Sequence, residues 1–336
     1  MPIPDCKSLH AHLQTAVELE HATIPTYLAA LYSLHEGKNK EVAQVIQSVV
    51  MEEMLHMTLV ANVLNAVKGK VQVDHDKFVP AYPTYLPHSA DTFLVELLPF
   101  TPQAVETFLA IERPAPAGAP PEADKYHTIG QFYEAIELAL TDLAGSLGEK
   151  ALFNGDPTWQ VRPEHWYYGG GGEVVVVTDL ASAKRALEEV KEQGEGIDHT
   201  IFDDDSQFGQ VDELAHYFRF NEIRCGRRYR ATDTPSSGPT GDEMVVDWQA
   251  VYPVTPNPKA ADFAGQPEVH SLLVGANQTY NRLLRVLHAG FTGKPELLLQ
   301  AVPVMYELKY AVQALMKIPS GRGDGRTVGF GFEYWR

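Results

Sequence analysis

Two short runs constrain this chain more than anything else in it: Met51-Glu52-Glu53-Met54-Leu55-His56 and Asp212-Glu213-Leu214-Ala215-His216. Each contains Glu-x-x-His. Residues three apart on a helix share a face, so carboxylate and imidazole can grip one metal ion. One copy says little, because a lone His on an apolar face is more often a satisfied core histidine. Two copies, each following a helix with an inward-leaning Glu, match the ligand pattern of a dinuclear site inside a helical bundle.

The flanking periodicity supplies the helices. Residues Lys7 to Leu34 carry the apolar set Leu13, Val17, Ile24, Tyr27, Leu28 and Leu31, and Glu20 falls inside that stripe. A carboxylate placed inward is costly unless something positive meets it. Pro25 is expected to kink this helix or open its hydrogen-bond ladder near Glu20. Glu41 to Val67 forms a second helix, antiparallel to the first, with Glu53 and His56 in the middle of its apolar face. Leu180 to Gln193 follows the same rule through Ala183, Ala186, Leu187 and Val190, and Glu195 lies just beyond it between Gly194 and Gly196. Val211 to Ile223 places Glu213, His216, Tyr217, Phe220 and Ile223 on one face. Thr128 to Leu147 is a further amphipathic helix, and its Glu134 and Glu137 rival Glu195 for a ligand role.

Residues 68–127 change character. Val71-Gln-Val-Asp-His reads as a strand, Pro80 to Pro87 as extended or turn, Thr92 to Glu112 as a strand leading into a short helix, and Arg113 to Ala123 as a loop. The segment Tyr167-Tyr-Gly-Gly-Gly-Gly-Glu-Val-Val-Val-Val-Thr runs from glycines into a strand. It lacks the Gly-Lys-Ser/Thr ending of a phosphate loop, so a flexible loop or substrate lid is the better reading. The acidic stretch Ile197 to Gln210 reads as mobile, with calcium a weak alternative because the spaced oxygens of an EF-hand are missing. Two helices near Pro267 to Phe291 and Pro295 to Met316 form a hairpin, and the aromatic tail Phe330-Gly-Phe-Glu-Tyr-Trp docks either over the site or on ordinary core. The expected division is a bundle over 1–230 with a mixed lobe inserted at about 68–178, then a C-terminal region over 231–336.

A formal charge of −17 and the lack of any Lys/Arg cluster argue against nucleic acid as a partner. Two cysteines, Cys6 and Cys225, make neither a disulfide framework nor a zinc knuckle. No apolar run reaches a membrane span and no signal peptide is visible, so the cytoplasm is the expected compartment.

With Glu20-x6-Tyr27, Glu53-x-x-His56, Gln193-Gly-Glu-Gly196 and Glu213-Leu-Ala-His216-Tyr-Phe-Arg-Phe220 together, the chain resembles the ferritin-like domain of iminophenyl-pyruvate dimer synthases and of many free-standing bacterial proteins. The resemblance runs from the first helix to the final Phe-Glu-Tyr. It implies a mainly α, ferritin-like four-helix bundle with a large mixed insertion and a C-terminal helical hairpin, built around a non-haem metal site. It also raises Glu195 above Glu134 and Glu137. The expected metal ligands are Glu20, Glu53, His56, Glu195, Glu213 and His216. In that set Glu20 and Glu195 are terminal, Glu53 and Glu213 bridge, and each metal takes one His. Hard carboxylates with imidazole suit two irons, with manganese the other candidate. The expected activity is an O2-dependent oxidase or oxygenase acting on a small organic molecule, amino-acid-derived compounds among them. The alternatives are iron handling, peroxide scavenging and a non-catalytic binding protein. Homo-oligomerisation is compatible with all of these.

Overall fold

A computed structural model describes residues 3–166, 171–196, 200–203 and 213–335. Its α-helices, all but α5 expected from the sequence, are α1 (Cys6–Ser33), α2 (Lys40–Ala66), α3 (Pro102–Ile111), α4 (Ile129–Leu147), α5 (Glu149–Leu152), α6 (Leu180–Glu195), α7 (His216–Cys225), α8 (Pro267–Phe291) and α9 (Ala301–Leu315). Side-chain oxygens set several of the starts. Asp5, Thr101, Thr128 and Asp179 each accept a hydrogen bond from a backbone N–H in the first turn of α1, α3, α4 and α6. No described helix is long and apolar enough to cross a membrane.

Four helices close a ring: α1 packs on α2, α2 on α6, α6 on α4 and α4 on α1. Helices α3 and α7 pack on each other and against this ring, α3 on α1 and α7 on α2 and α6. The hairpin of α8 and α9 covers the outer side of α1 and α2. A single buried apolar cluster runs from Leu9 and Leu13 through Val60 and Leu64 to Leu284 and Val312, joining bundle and hairpin.

One expectation changes and one holds. Pro25 sits inside α1, which runs from Cys6 to Ser33, and its missing N–H opens the hydrogen-bond ladder at the His21 carbonyl, as expected. The strands expected at Val71, Thr92 and Val174 do not form, since the described residues outside helices make only isolated β-bridges. Side-chain amides take the place of neighbouring strands. Gln160 Nε2 donates to the Val177 carbonyl and Gln160 Oε1 accepts from the Val177 N–H, both at 2.6 Å. Asn62 on α2 likewise donates to the carbonyls of Val161 and Val175 and accepts from the Val161 N–H. Buried backbone groups must be paired, and two amide side chains meet that need without a ladder. The insertion is therefore helix plus covered irregular chain. Two tyrosines and the first two glycines of the glycine run (167–170), most of the acidic loop (197–199 and 204–210), and Val211 and Asp212 lie outside the described residues.

The aromatic tail docks on the hairpin. Phe330 and Phe332 are buried, and Glu333 accepts from the Ala260 N–H at 2.7 Å.

Candidate metal centre

Five ionisable side chains converge between α1, α2, the end of α3 and the start of α7. Glu20, Glu53, His56, Glu112 and His216 are each no more than 4% exposed. They form two compact groups, Glu20–Glu53–His56 and Glu53–Glu112–His216, with ligand atoms in each lying within 4.8 Å of one another. Glu53 belongs to both. Its Oε1 lies 3.8 Å from His56 Nδ1 and 3.1 Å from His216 Nδ1. Glu20 Oε2 stands 3.5 Å from His56 Nδ1, and Glu112 Oε2 stands 3.5 Å from His216 Nδ1.

The surrounding hydrogen bonds fix which nitrogen faces inward. Gln193 Nε2 donates to Glu189 and to the Gly171 carbonyl, so Gln193 Oε1 turns to His56 Nε2 at 2.8 Å. That oxygen only accepts, which puts the His56 proton on Nε2 and leaves Nδ1 with a lone pair. His216 repeats the arrangement: its Nε2 lies 2.7 Å from a Glu52 oxygen, and Arg219 Nη1 donates to the other Glu52 oxygen at 2.8 Å. His216 Nδ1 is then left buried without a hydrogen bond. The carboxylates are held as carefully: Tyr133 donates to Glu20, Tyr27 to Glu112, and Thr23 to Glu53 Oε2 at 2.6 Å.

The electrostatics of this cluster are unbalanced. Arg219 is committed to Glu52 and Lys191 to Glu137, so among the described residues no Lys or Arg pairs with Glu20, Glu53 or Glu112. Burial and the charges of Glu112 and Glu20 push Glu53 up to about 7, against the pull of the histidines. Burial alone would lower His216, yet the Glu112 charge and its carboxylate partners hold it well above the usual imidazole range. Glu52 is the opposite case: burial would raise it, but Arg219 and His216 draw it down to about 2. Uncompensated buried carboxylates, with an orphaned imidazole nitrogen aimed at them, are what a site for divalent cations requires.

Of the six residues expected from sequence, Glu20, Glu53, His56 and His216 come together. Glu213 does not. Helix α7 begins at His216, and the residues before it pair in extended form, Glu213 with Asp203 and Ala215 with Ile201. Three residues of extended chain do not share a face as three residues of helix do, so the Glu213 side chain is 60% exposed and approaches Arg219 at 3.4 Å. Glu195 is intermediate. It lines a small cavity of about 20 Å³ with Glu20, Glu53, His56 and Glu112, while its oxygens accept from the N–H groups of Gly130 at 2.7 Å and Ala115 at 2.9 Å. Burial pushes it up to about 7 against those two hydrogen bonds. Of the rivals on α4, Glu134 is exposed and Glu137 pairs with Lys191 at 2.8 Å.

Sequence reasoning missed Glu112 and Glu52. Glu112 follows α3 and stands four residues after buried Phe108 and seven after buried Val105. It therefore continues the helix's inner stripe, the same signal that singled out Glu20.

A family model described as ferritin-like matches residues 13–225, more than half of the chain. The chain belongs to the ferritin-like family. A crystal structure of a ferritin-like protein from Caulobacter vibrioides is similar over 98% of this chain and 100% of that one, with a TM-score of 0.67 and 21% identity, which extends the shared fold to the C-terminal hairpin. No curated protein matches the sequence. The ferritin-like bundle usually takes Glu-x-x-His from each of two helices. Here one motif is helical, and Glu112 together with His216 occupies the place of the other.

Gly130 tests whether Glu195 belongs to the centre. A Cβ there would lie 2.4 Å from Glu195 Oε1, so Gly130→Ala must push the carboxylate out. Metal affinity, measured by competition with a chromophoric chelator, is expected to fall about tenfold or more in both Gly130→Ala and Glu195→Gln. Unchanged affinity in both would remove Glu195 from the site.

Proposed function

We propose that the protein is a dinuclear non-haem iron oxidase or oxygenase, with manganese the alternative metal, that uses O2 on a small organic molecule. The observation carrying this proposal is that two imidazoles present Nδ1 to three buried carboxylates through a shared Glu53 oxygen. Glu20 and His56 would hold one ion, Glu112 and His216 the other, with Glu53 between them. Counting Glu195, four carboxylates line the cavity, enough to balance two divalent cations. When bound, such ions supply open positions and reducing equivalents for O2.

The protein's own residues keep this chemistry contained. Tyr27, Tyr133 and Thr23 donate to one carboxylate each and so hold the ligands before metal arrives. Ile111, Ile129 and Val190 wall the cavity and limit water. Amino-acid-derived compounds are among the candidate substrates, but the resemblance to iminophenyl-pyruvate dimer synthases does not carry their substrate over to this chain.

The small cavity also favours a second reading. Its volume suits a diatomic molecule or a peroxide better than an organic substrate, as peroxide scavenging or iron handling would require. Protein purified anaerobically with iron supplied separates these readings. Plasma mass spectrometry is expected to find about two irons per chain, lost in Glu53→Ala, and O2 uptake should accelerate with one class of organic substrate. Uptake indifferent to every organic compound, alongside fast peroxide turnover, would establish the second reading. Absence of metal after reconstitution would refute both.

A further inference from the structure

A cavity larger than the one at the metal centre lies elsewhere in the described structure. It lies on the other side of α1 and α2, under the hairpin of α8 and α9, and encloses about 160 Å³. None of its lining residues borders the small cavity at the carboxylates. The wall is apolar and adaptable: Leu28, Met54, Met57, Leu284, Leu287 and Met305 contribute to it. Methionines fill irregular space and suit a surface that closes on a ligand. A cavity of this size admits a single benzene-sized ring.

Among the polar side chains of the lining, which include Gln47 and Thr58, His21 and Lys309 stand out. His21 is buried, its Nε2 is taken by the Tyr280 hydroxyl at 2.6 Å, and its Nδ1 has no partner. Lys309 on α9 is half-buried, lines the cavity beside Tyr306, and makes no ion pair among the described residues. In a chain of net charge −17, Lys309 lines an apolar cavity that has no acidic residue in its lining. An apolar pocket with a few placed polar groups is the ordinary form of a small-molecule site.

We propose that this cavity binds a small carboxylic acid with one aromatic ring, the ring among the methionines and leucines and the carboxylate on Lys309. The His21 nitrogen would take a hydroxyl, a carbonyl or a ring N–H at the inner end. The site is separate from the metal centre and does not depend on its activity.

Titration calorimetry with 3-phenylpropanoate and its neutral analogue 3-phenylpropan-1-ol tests this on the full-length protein. The acid is expected to bind saturably and about tenfold tighter than the alcohol, a gap set by one charge-assisted contact. Lys309→Met should bring the acid down to the alcohol's affinity. Leu287→Trp and Met305→Trp fill the cavity from its two helices, and each should abolish binding of both probes while metal content stays at the wild-type level. No binding to the wild-type protein, equal affinity for acid and alcohol, or binding that survives both tryptophan variants would overturn the proposal.

Discussion

If the carboxylate cluster is the metal centre proposed above, replacing Glu112 with Ala is expected to remove at least half of the bound metal, whereas replacing Glu213 with Ala leaves the loading unchanged. Measured by plasma mass spectrometry after anaerobic reconstitution, the first variant should fall from about two ions per chain to one or fewer. The reason is positional. Glu112 is 4% exposed and stands 3.5 Å from His216 Nδ1, so without it the second group keeps only Glu53 and His216. The Glu213 side chain is 60% exposed and turned toward Arg219. Its removal costs at most one partly screened ion pair, worth about 1 kcal/mol or less. The opposite result, with metal lost in Glu213→Ala and kept in Glu112→Ala, would restore the paired Glu-x-x-His arrangement and refute the centre described above.

That contrast marks how far the sequence could be read. Helical periodicity located α1, α2, α4, α6 and α8 because each buries one stripe along its length. It also selected Glu20, Glu53 and His56, which sit inside such stripes. His216 was found for a partly mistaken reason. The shared face from Val211 to Ile223 assumed a helix throughout, but the pairing of Ile201 and Asp203 with Ala215 and Glu213 holds that entry extended. Long-range backbone pairing of this kind leaves no local period. Glu112 was hidden by its surroundings: a ten-residue helix just before a proline-rich stretch offers few turns over which a stripe can declare itself. The missing strands have a similar origin. Alternating valines at Val71 and Val73, and at Val175 and Val177, do become buried, but alternation only reports a covered face, and in this protein Asn62 and Gln160 supply the hydrogen bonds near Val175 and Val177.

The chain Arg219–Glu52–His216 is the feature least visible beforehand, and its disruption should have the second large effect. Glu52→Ala is expected to lower stability by about 3 kcal/mol, because Arg219 stays buried with one close partner gone. Asp203, at 3.3 Å and itself fully buried, limits the loss. The same substitution frees His216 Nε2, so the imidazole loses the acceptor that keeps its proton away from Nδ1. Metal affinity should then drop about 10-fold to 100-fold, the range observed when a ligating histidine loses its supporting carboxylate. Glu52→Gln separates the two roles. Its amide oxygen can still accept from His216 Nε2, which preserves the tautomer and most of the affinity, while the lost charge still destabilises Arg219. Thermal unfolding with and without metal, together with chelator competition, resolves both quantities in each variant. If Glu52→Gln loses as much metal affinity as Glu52→Ala, charge rather than tautomer control is what Glu52 contributes, and the shared geometry of His56 with Gln193 and His216 with Glu52 would have to be explained otherwise.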